Sequence, residues 1–151
     1  MRNETSASPG YREVSHAVTP PRGAAERPRP RILLAEDDAD LRRSLRATLG
    51  RSGYAVVDAA DGVEALRLAK DCQDDIELLI TDLVMPRMNG PELAARLVAE
   101  RPGVRVLYMS GYPVDEMNRR GVLPDHDPCL TKPFRPDVLL RSTRAMLDVS
   151  P

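Results

Sequence analysis

The stretch Ile32-Leu33-Leu34-Ala35-Glu36-Asp37-Asp38 joins a short apolar run to three acidic residues. A continuous apolar run of this length is typical of a strand that is buried on both faces of a parallel sheet. Beyond it, Leu41, Leu45 and Leu49 recur at the spacing of one helix face. The pattern predicts a buried strand followed by an amphipathic helix, with Asp38 as its N-cap.

The same strand-and-helix unit recurs along the chain. Further apolar runs occupy residues 54–57, 78–80, 104–109 and 129–131. A helical pattern follows each of the first two of these runs, and a last helix begins at Pro136. Strands that alternate with helices predict an α/β fold, in which helices cover both faces of a doubly wound parallel sheet.

Capping and breaking residues place the helix ends. Asp61 and Glu64 have the spacing of a capping box, and Pro91 lies at the start of the following helix. The predicted apolar face of the second helix consists of Val63, Leu66 and Ala69. The segment 113–128 contains glycine and several prolines, so we expect any fourth helix there to be short.

Composition divides the chain into two parts. Residues 1–30 contain five prolines, five arginines and three glutamates but no Leu, Ile or Phe, so we expect a disordered N-terminal tail. Residues 31–149 form the predicted domain. No long segment is left after the last helix for an output domain, so the protein is expected to work as a single domain.

Charge and composition exclude several function classes. Lys+Arg 22 against Asp+Glu 23 gives a net charge of -1, which does not suggest a nucleic-acid binder. No apolar run approaches a membrane span, and the N-terminus has no secretory signal. Two cysteines, Cys72 and Cys129, are too few for a disulfide framework. We therefore expect a soluble, cytoplasmic protein with no membrane partner.

Polar side chains follow four of the five predicted strands. They are Glu36, Asp37, Asp38, Asp82, Ser110 and Lys132. Ligands of doubly wound sheets bind beyond the carboxyl ends of the strands, so these groups are expected to converge there. Clustered carboxylates suit Mg²⁺, and a carboxylate also serves as a nucleophile toward phosphorus. An ammonium and a hydroxyl suit the phosphoryl oxygens.

The motifs at these strand ends occur in a known order. Residues 32–38, 79–90, 106–112 and 131–134 resemble, in order and spacing, the receiver domain of response regulators in two-component signalling. The Ser110-Gly111-Tyr112 form resembles receivers that are attached to hybrid sensor histidine kinases. The resemblance implies a flavodoxin-like (βα)5 fold with strand order 2-1-3-4-5.

The resemblance also implies a role for each residue at the strand ends. Asp82 would be the phosphoacceptor. Mg²⁺ would be held by Asp37, Asp82 and the backbone carbonyl of Val84, with Glu36 acting through water. These are expectations carried over from the family.

The remaining implied roles concern the last two strands. Ser110 would be the switch hydroxyl, and Lys132 would neutralise the phosphoryl group, with a cis peptide bond between Lys132 and Pro133. Many family members have Tyr or Phe three residues before this lysine, but here the residue is Cys129. We therefore expect phosphorylation to reorder residues 111–127 more than it repacks position 129.

The implied function is that of a single-domain response regulator and not an enzyme. Asp82 would accept a phosphoryl group from a phosphohistidine of a sensor histidine kinase or a histidine phosphotransfer protein, and an unknown downstream protein would bind in response. Self-catalysed phosphorylation and dephosphorylation would be its only chemistry, with Mg²⁺ as the cofactor and no nucleic-acid partner.

Three other function classes compete with this hypothesis. One is a scaffold whose partners ignore phosphorylation, which the complete set of Asp82, Ser110 and Lys132 disfavours. Another is a Mg²⁺-dependent phosphatase that uses Asp38-Ala39-Asp40, although these residues lie far past the strand. The last is a flavin-binding electron carrier, whose phosphate an acidic cluster would repel.

Overall fold

The computed structural model describes residues 29–124 and 127–148. Its elements are β1 (Arg31–Ala35), α1 (Ala39–Arg51), β2 (Ala55–Ala59), α2 (Gly62–Asp71), β3 (Leu78–Asp82), α3 (Gly90–Glu100), β4 (Arg105–Ser110), α4 (Val114–Arg119), β5 (Cys129–Thr131) and α5 (Pro136–Asp148). Apart from Arg29 and Pro30, the expected N-terminal tail lies outside the described residues. None of the helices in the described ranges is long and apolar enough to cross a membrane.

The five strands form one parallel sheet in the order β2-β1-β3-β4-β5, which confirms the predicted doubly wound topology. Alternate strand residues point to opposite faces. Leu33 and Leu79 pack in the apolar cluster under α2, α3 and α4, whereas Ile32 and Ile80 pack in the cluster under α1 and α5. Because both faces are covered, β1 and β3 are almost completely buried.

The helix ends agree with the predicted caps. The Asp38 carboxylate accepts the backbone N–H of Leu41, and the Asp61 carboxylate accepts that of Glu64. Asn89 caps α3, with Pro91 in the first turn. Helix α4 is short, as expected, with six residues.

The predicted apolar face of α2 was wrong at Val63, which is 44% exposed. The buried residues of this helix are Gly62, Ala65 and Ala69. Gly62 lies against the side chain of Met88 and so determines which stripe of the helix faces inward. Val63 is one residue further along, about 100° around the helix, and therefore points outward.

Strands β3 and β4 end later than the apolar pattern indicated, at residues 82 and 110 instead of 80 and 109. Asp82 and Ser110 are the last residues of β3 and β4, not the first residues of the loops that follow. Their backbones are held in the sheet, where Asp82 pairs with Met109 and Ser110 pairs with Thr131. The two side chains therefore start from fixed positions at the edge of the sheet.

Candidate functional site

The carboxyl edge of the sheet brings the predicted polar residues together. A cavity of about 180 Å³ lies there, lined by Asp37, Asp82, Leu83, Val84, Met109, Ser110, Gly111, Tyr112 and Lys132. Parallel strands all end at this edge, so residues distant in sequence become neighbours. Glu36 lies outside this lining but contacts Lys132. The carboxylate of Asp38 does not join the group, because it caps α1.

Lys132 bridges two buried carboxylates. Its Nζ lies 2.6 Å from Oδ1 of Asp82 and 2.7 Å from Oε2 of Glu36. Asp82 is 5% exposed and Glu36 is 1% exposed. The other carboxylate oxygen of Glu36 accepts the backbone N–H of Asp38 at 3.1 Å. These contacts hold the lysine in the lining of the cavity.

The three carboxylates of Glu36, Asp37 and Asp82 suit a hard cation. One oxygen from each lies within 4.8 Å of the others, and Asp37 is exposed to solvent beside its two buried neighbours. Oxygen-only donors of this kind are the ligands that Mg²⁺ prefers, with water in the remaining positions. The open side at Asp37 leaves room for such water, so the residues present fit a magnesium ion.

Two carboxylates compete for one ammonium in this site. Burial and the neighbouring Glu36 raise the pKa of Asp82 from 3.8 to about 8, although Lys132 opposes the shift. Burial alone would lower the pKa of Lys132, but its hydrogen bonds with Asp82 and Glu36 outweigh burial and raise it. Lys132 therefore stays charged at neutral pH, and Asp82 takes up a proton because one ammonium does not compensate both buried carboxylates.

The raised pKa of Asp82 predicts a pH-dependent stability of the metal-free protein. The stabilisation that Asp82 contributes to the folded state is complete below the unfolded pKa of 3.8 and is lost as the pH rises through about 8. Asp82→Asn cannot titrate, so we expect this variant to exceed the wild type by about 1–3 kcal/mol near pH 8 and by less near pH 5. Urea unfolding in the presence of a chelator measures the difference. A difference that does not change with pH would contradict the assignment.

Ser110 lies between the cavity and the β4–α4 loop. Its side chain is buried, and its Oγ accepts the backbone N–H of Tyr112 at 3.0 Å. The Tyr112 ring is exposed, and the guanidinium of Arg120 lies 6.0 Å from its centroid, within cation–π range. A hydroxyl in the cavity is thus connected to the far end of α4 through one loop residue.

An aromatic side chain beside Cys129 was missed in the sequence analysis. Tyr108 of β4 pairs with Cys129 in the sheet register, and both contact the apolar cluster under α4. Burial raises the pKa of Tyr108 to about 12, so its hydroxyl stays neutral. The signal in the sequence was an aromatic residue two positions before Ser110, on the same face of the strand.

Two backbone features lie just after β5 and at the end of β3. The peptide bond between Lys132 and Pro133 is cis, as predicted. A Cβ at Gly90 would lie 2.1 Å from the carbonyl oxygen of Asp82, so only glycine fits there. The close approach brings the start of α3 against the end of β3.

The fold and the acidic, lysine-bridged cavity define a CheY-like α/β protein. The family model of the response regulator receiver domain matches residues 32–144. The chain therefore belongs to the response regulator receiver family, whose members are generally phosphoacceptors and bind Mg²⁺ at an acidic pocket.

Similar proteins include both separate receivers and receiver parts of kinases. The response regulator receiver protein CpdR of Brucella abortus is 36% identical over 117 residues, which cover 78% of this chain and 96% of CpdR. The sensor kinase CckA of the same organism is 32% identical over 117 residues, which cover 78% of this chain but 12% of the kinase. The crystal structure of the receiver domain of the hybrid histidine kinase CckA superposes with a TM-score of 0.66 at 31% identity, covering 78% of this chain and 99% of that domain.

Proposed function

We propose that this protein is a response regulator that accepts a phosphoryl group on Asp82 from a phosphohistidine. The observation that carries the proposal is the contact of the buried Asp82 carboxylate with the Lys132 ammonium inside an acidic, solvent-connected cavity. In the transfer, a carboxylate oxygen of Asp82 forms a bond to phosphorus as the phosphorus–nitrogen bond breaks. The electron pair of that bond returns to the imidazole, which takes up a proton.

Each residue of the cavity has a proposed part in this transfer. Asp37, Asp82 and the backbone carbonyl of Val84 would hold Mg²⁺, and Glu36 would act through water. When bound, Mg²⁺ supplies positive charge to the phosphoryl oxygens. Lys132 would offer a point charge to the same oxygens.

The acidic cluster predicts opposite effects of one substitution on metal binding and stability. Asp37→Asn removes a charge from the cluster, so we expect weaker Mg²⁺ binding and a higher thermal midpoint of the metal-free protein. Calorimetric titration and thermal unfolding measure the two effects. Asp40→Asn is the matched control, because its side chain is 95% exposed on α1. A lower metal-free midpoint with unchanged Mg²⁺ affinity would contradict the site.

The β4–α4 region is proposed as the element that responds to phosphorylation. New phosphoryl oxygens would draw the Ser110 hydroxyl away from the N–H of Tyr112. The contact between Tyr112 and Arg120 would then pass the change to α4, a short helix with one buried residue, Met117. The signal would reach a downstream protein through this surface, in the cytoplasm, after phosphotransfer from a sensor kinase or a histidine phosphotransfer protein.

A phosphate analogue tests the proposed function. Beryllofluoride with Mg²⁺ should bind to the wild type but not to Asp82→Asn, and amide exchange should change more in residues 111–124 than at Cys129. A chain that binds neither ligand would be a scaffold. Exchange that changes at Cys129 alone would place the switch in β5.

The phosphatase alternative is disfavoured by the positions of its candidate residues. Asp38 uses its carboxylate to cap α1, and Asp40 points into solvent. Turnover of a phosphomonoester that survives Asp82→Asn would favour this alternative over the proposed function.

A further inference from the structure

The loop between β3 and α3, residues 83–89, is attached to the start of α2 at two adjacent positions. We call it the acceptor loop because it follows Asp82. The Arg87 guanidinium forms an ion pair with the Asp61 carboxylate. Next to this pair, Met88 packs on Gly62 so closely that an added Cβ there would lie 2.9 Å from Cβ of Met88. The cavity residues do not take part in either contact.

The carboxylate of Asp61 binds both the start of α2 and the acceptor loop. Its Oδ1 accepts the backbone N–H of Glu64 at 2.9 Å and so caps α2, while its Oδ2 accepts the side-chain N–H of Arg87. The side chain of Asp61 is 9% exposed. The Glu64 N–H, followed by the Arg87 guanidinium, lowers the pKa of Asp61, so the carboxylate is charged at neutral pH.

The backbone at Arg87 is in a conformation that arginine rarely adopts. Its φ is 68°, in the left-handed region that favours glycine. The N–H of Met88 bonds to the carbonyl of Pro86 at 2.8 Å, so the chain turns sharply around Arg87. The ion pair of Arg87 with Asp61 offsets the cost of this unfavourable turn.

This turn determines the path of the chain past the cavity. Val84, three residues before Arg87, lines the cavity together with Asp37 and Asp82. Between Val84 and Arg87, Met85 is buried, with its Sδ 3.9 Å from Oγ1 of Thr81. The acceptor loop is thus held at Met85, directly after Val84, and again at Arg87. These two contacts leave the backbone of the loop little freedom.

We propose that Asp61 and Arg87 are positioning residues for the metal site, because their ion pair holds the acceptor loop so that Val84 can present its carbonyl to Mg²⁺. The inference rests on the proposed function, since it concerns the same metal. It adds two residues outside the cavity, one of them on the helix start that follows β2.

Two substitutions separate positioning from stability. Asp61→Asn keeps a side-chain oxygen to cap α2 but removes the charge that attracts Arg87. Arg87→Gly removes the guanidinium while relieving the positive φ. We expect each variant to weaken Mg²⁺ binding by about tenfold, the lower end of the range for groups that support metal ligands, with no loss of thermal stability in Arg87→Gly. In the metal-free full chain, amide exchange in residues 83–88 should be faster in both variants.

A double variant and a distant pair provide the controls. The double variant Asp61→Asn with Arg87→Gly should bind Mg²⁺ as tightly as whichever single variant has the lower Mg²⁺ affinity. Both substitutions remove the same ion pair, so their effects should not add. Glu92→Gln breaks the exposed pair with Arg96 on α3 and should leave Mg²⁺ affinity unchanged. Unchanged affinity and exchange in Asp61→Asn and Arg87→Gly would overturn this inference alone. A wild-type chain that does not bind Mg²⁺ would overturn the proposed function as well.

Discussion

Gly90→Ala is expected to destabilise the protein by about 2–3 kcal/mol, at the upper end of the cost of overpacking. The added Cβ would lie 2.1 Å from the carbonyl oxygen of Asp82 and 3.0 Å from its carbonyl carbon. Both atoms belong to the backbone at the end of β3, which is paired with β4. Gly90 itself donates its N–H to the carbonyl of Leu83 at 2.8 Å, so neither side can move away freely. Urea unfolding at neutral pH measures the loss.

Gly50→Ala is the matched control for this substitution. A Cβ at Gly50 meets nothing within 4 Å, and the residue lies in the last turn of α1. Alanine there should be neutral or stabilising by up to about 1 kcal/mol, because it favours the helix. If Gly90→Ala unfolded at the same urea concentration as the wild type, the close approach of α3 to Asp82 would be wrong.

Lys132→Gln should cause the second large loss of stability in the metal-free protein. It removes the cation that bridges Asp82 and Glu36 and leaves two buried carboxylates facing each other. Breaking a buried pair in this way costs about 2–4 kcal/mol after allowance for the partial exposure of the lysine. The loss should be larger near pH 8 than near pH 5, because Asp82, with its raised pKa, takes up a proton at the lower pH. Mg²⁺ should restore part of the stability by supplying positive charge.

Lys70→Gln controls for the loss of a lysine, since Lys70 and Lys132 are the two lysines of the chain. Lys70 is exposed in the last turn of α2, so its replacement should change the free energy of unfolding by about 0.5 kcal/mol or less. Equal effects of the two substitutions, without dependence on pH or Mg²⁺, would show that Lys132 does not compensate buried charge.

Most of the fold could be predicted because its signals are local. A buried parallel strand requires a continuous apolar run, and a helix start requires a capping side chain; both occur within a few residues, as at Ile32 and Asp61. The strand ends then follow from topology, which is why Asp82 and Lys132 could be placed together although they lie 50 residues apart. Their convergence needs only the knowledge that parallel strands share one edge.

What could not be predicted depends on the packing of elements that are distant in sequence. The buried face of α2 depends on the contact of Gly62 with Met88, so periodicity alone placed Val63 inside. The pair of Asp61 with Arg87 joins two loops, and neither residue carries a signal for the other. The need for glycine at position 90 likewise arises only when α3 meets β3. In each case the missing information was the distance between two elements.

The site of phosphorylation tests the central claim most directly. The full chain would be incubated with acetyl phosphate and Mg²⁺, and the phosphoryl group would be located by mass spectrometry together with its sensitivity to hydroxylamine, which cleaves acyl phosphates. We predict one labile phosphoryl group, on Asp82, that is absent from Asp82→Asn and retained in Asp40→Asn. A phosphoryl group on another residue, undiminished in Asp82→Asn, would contradict the account.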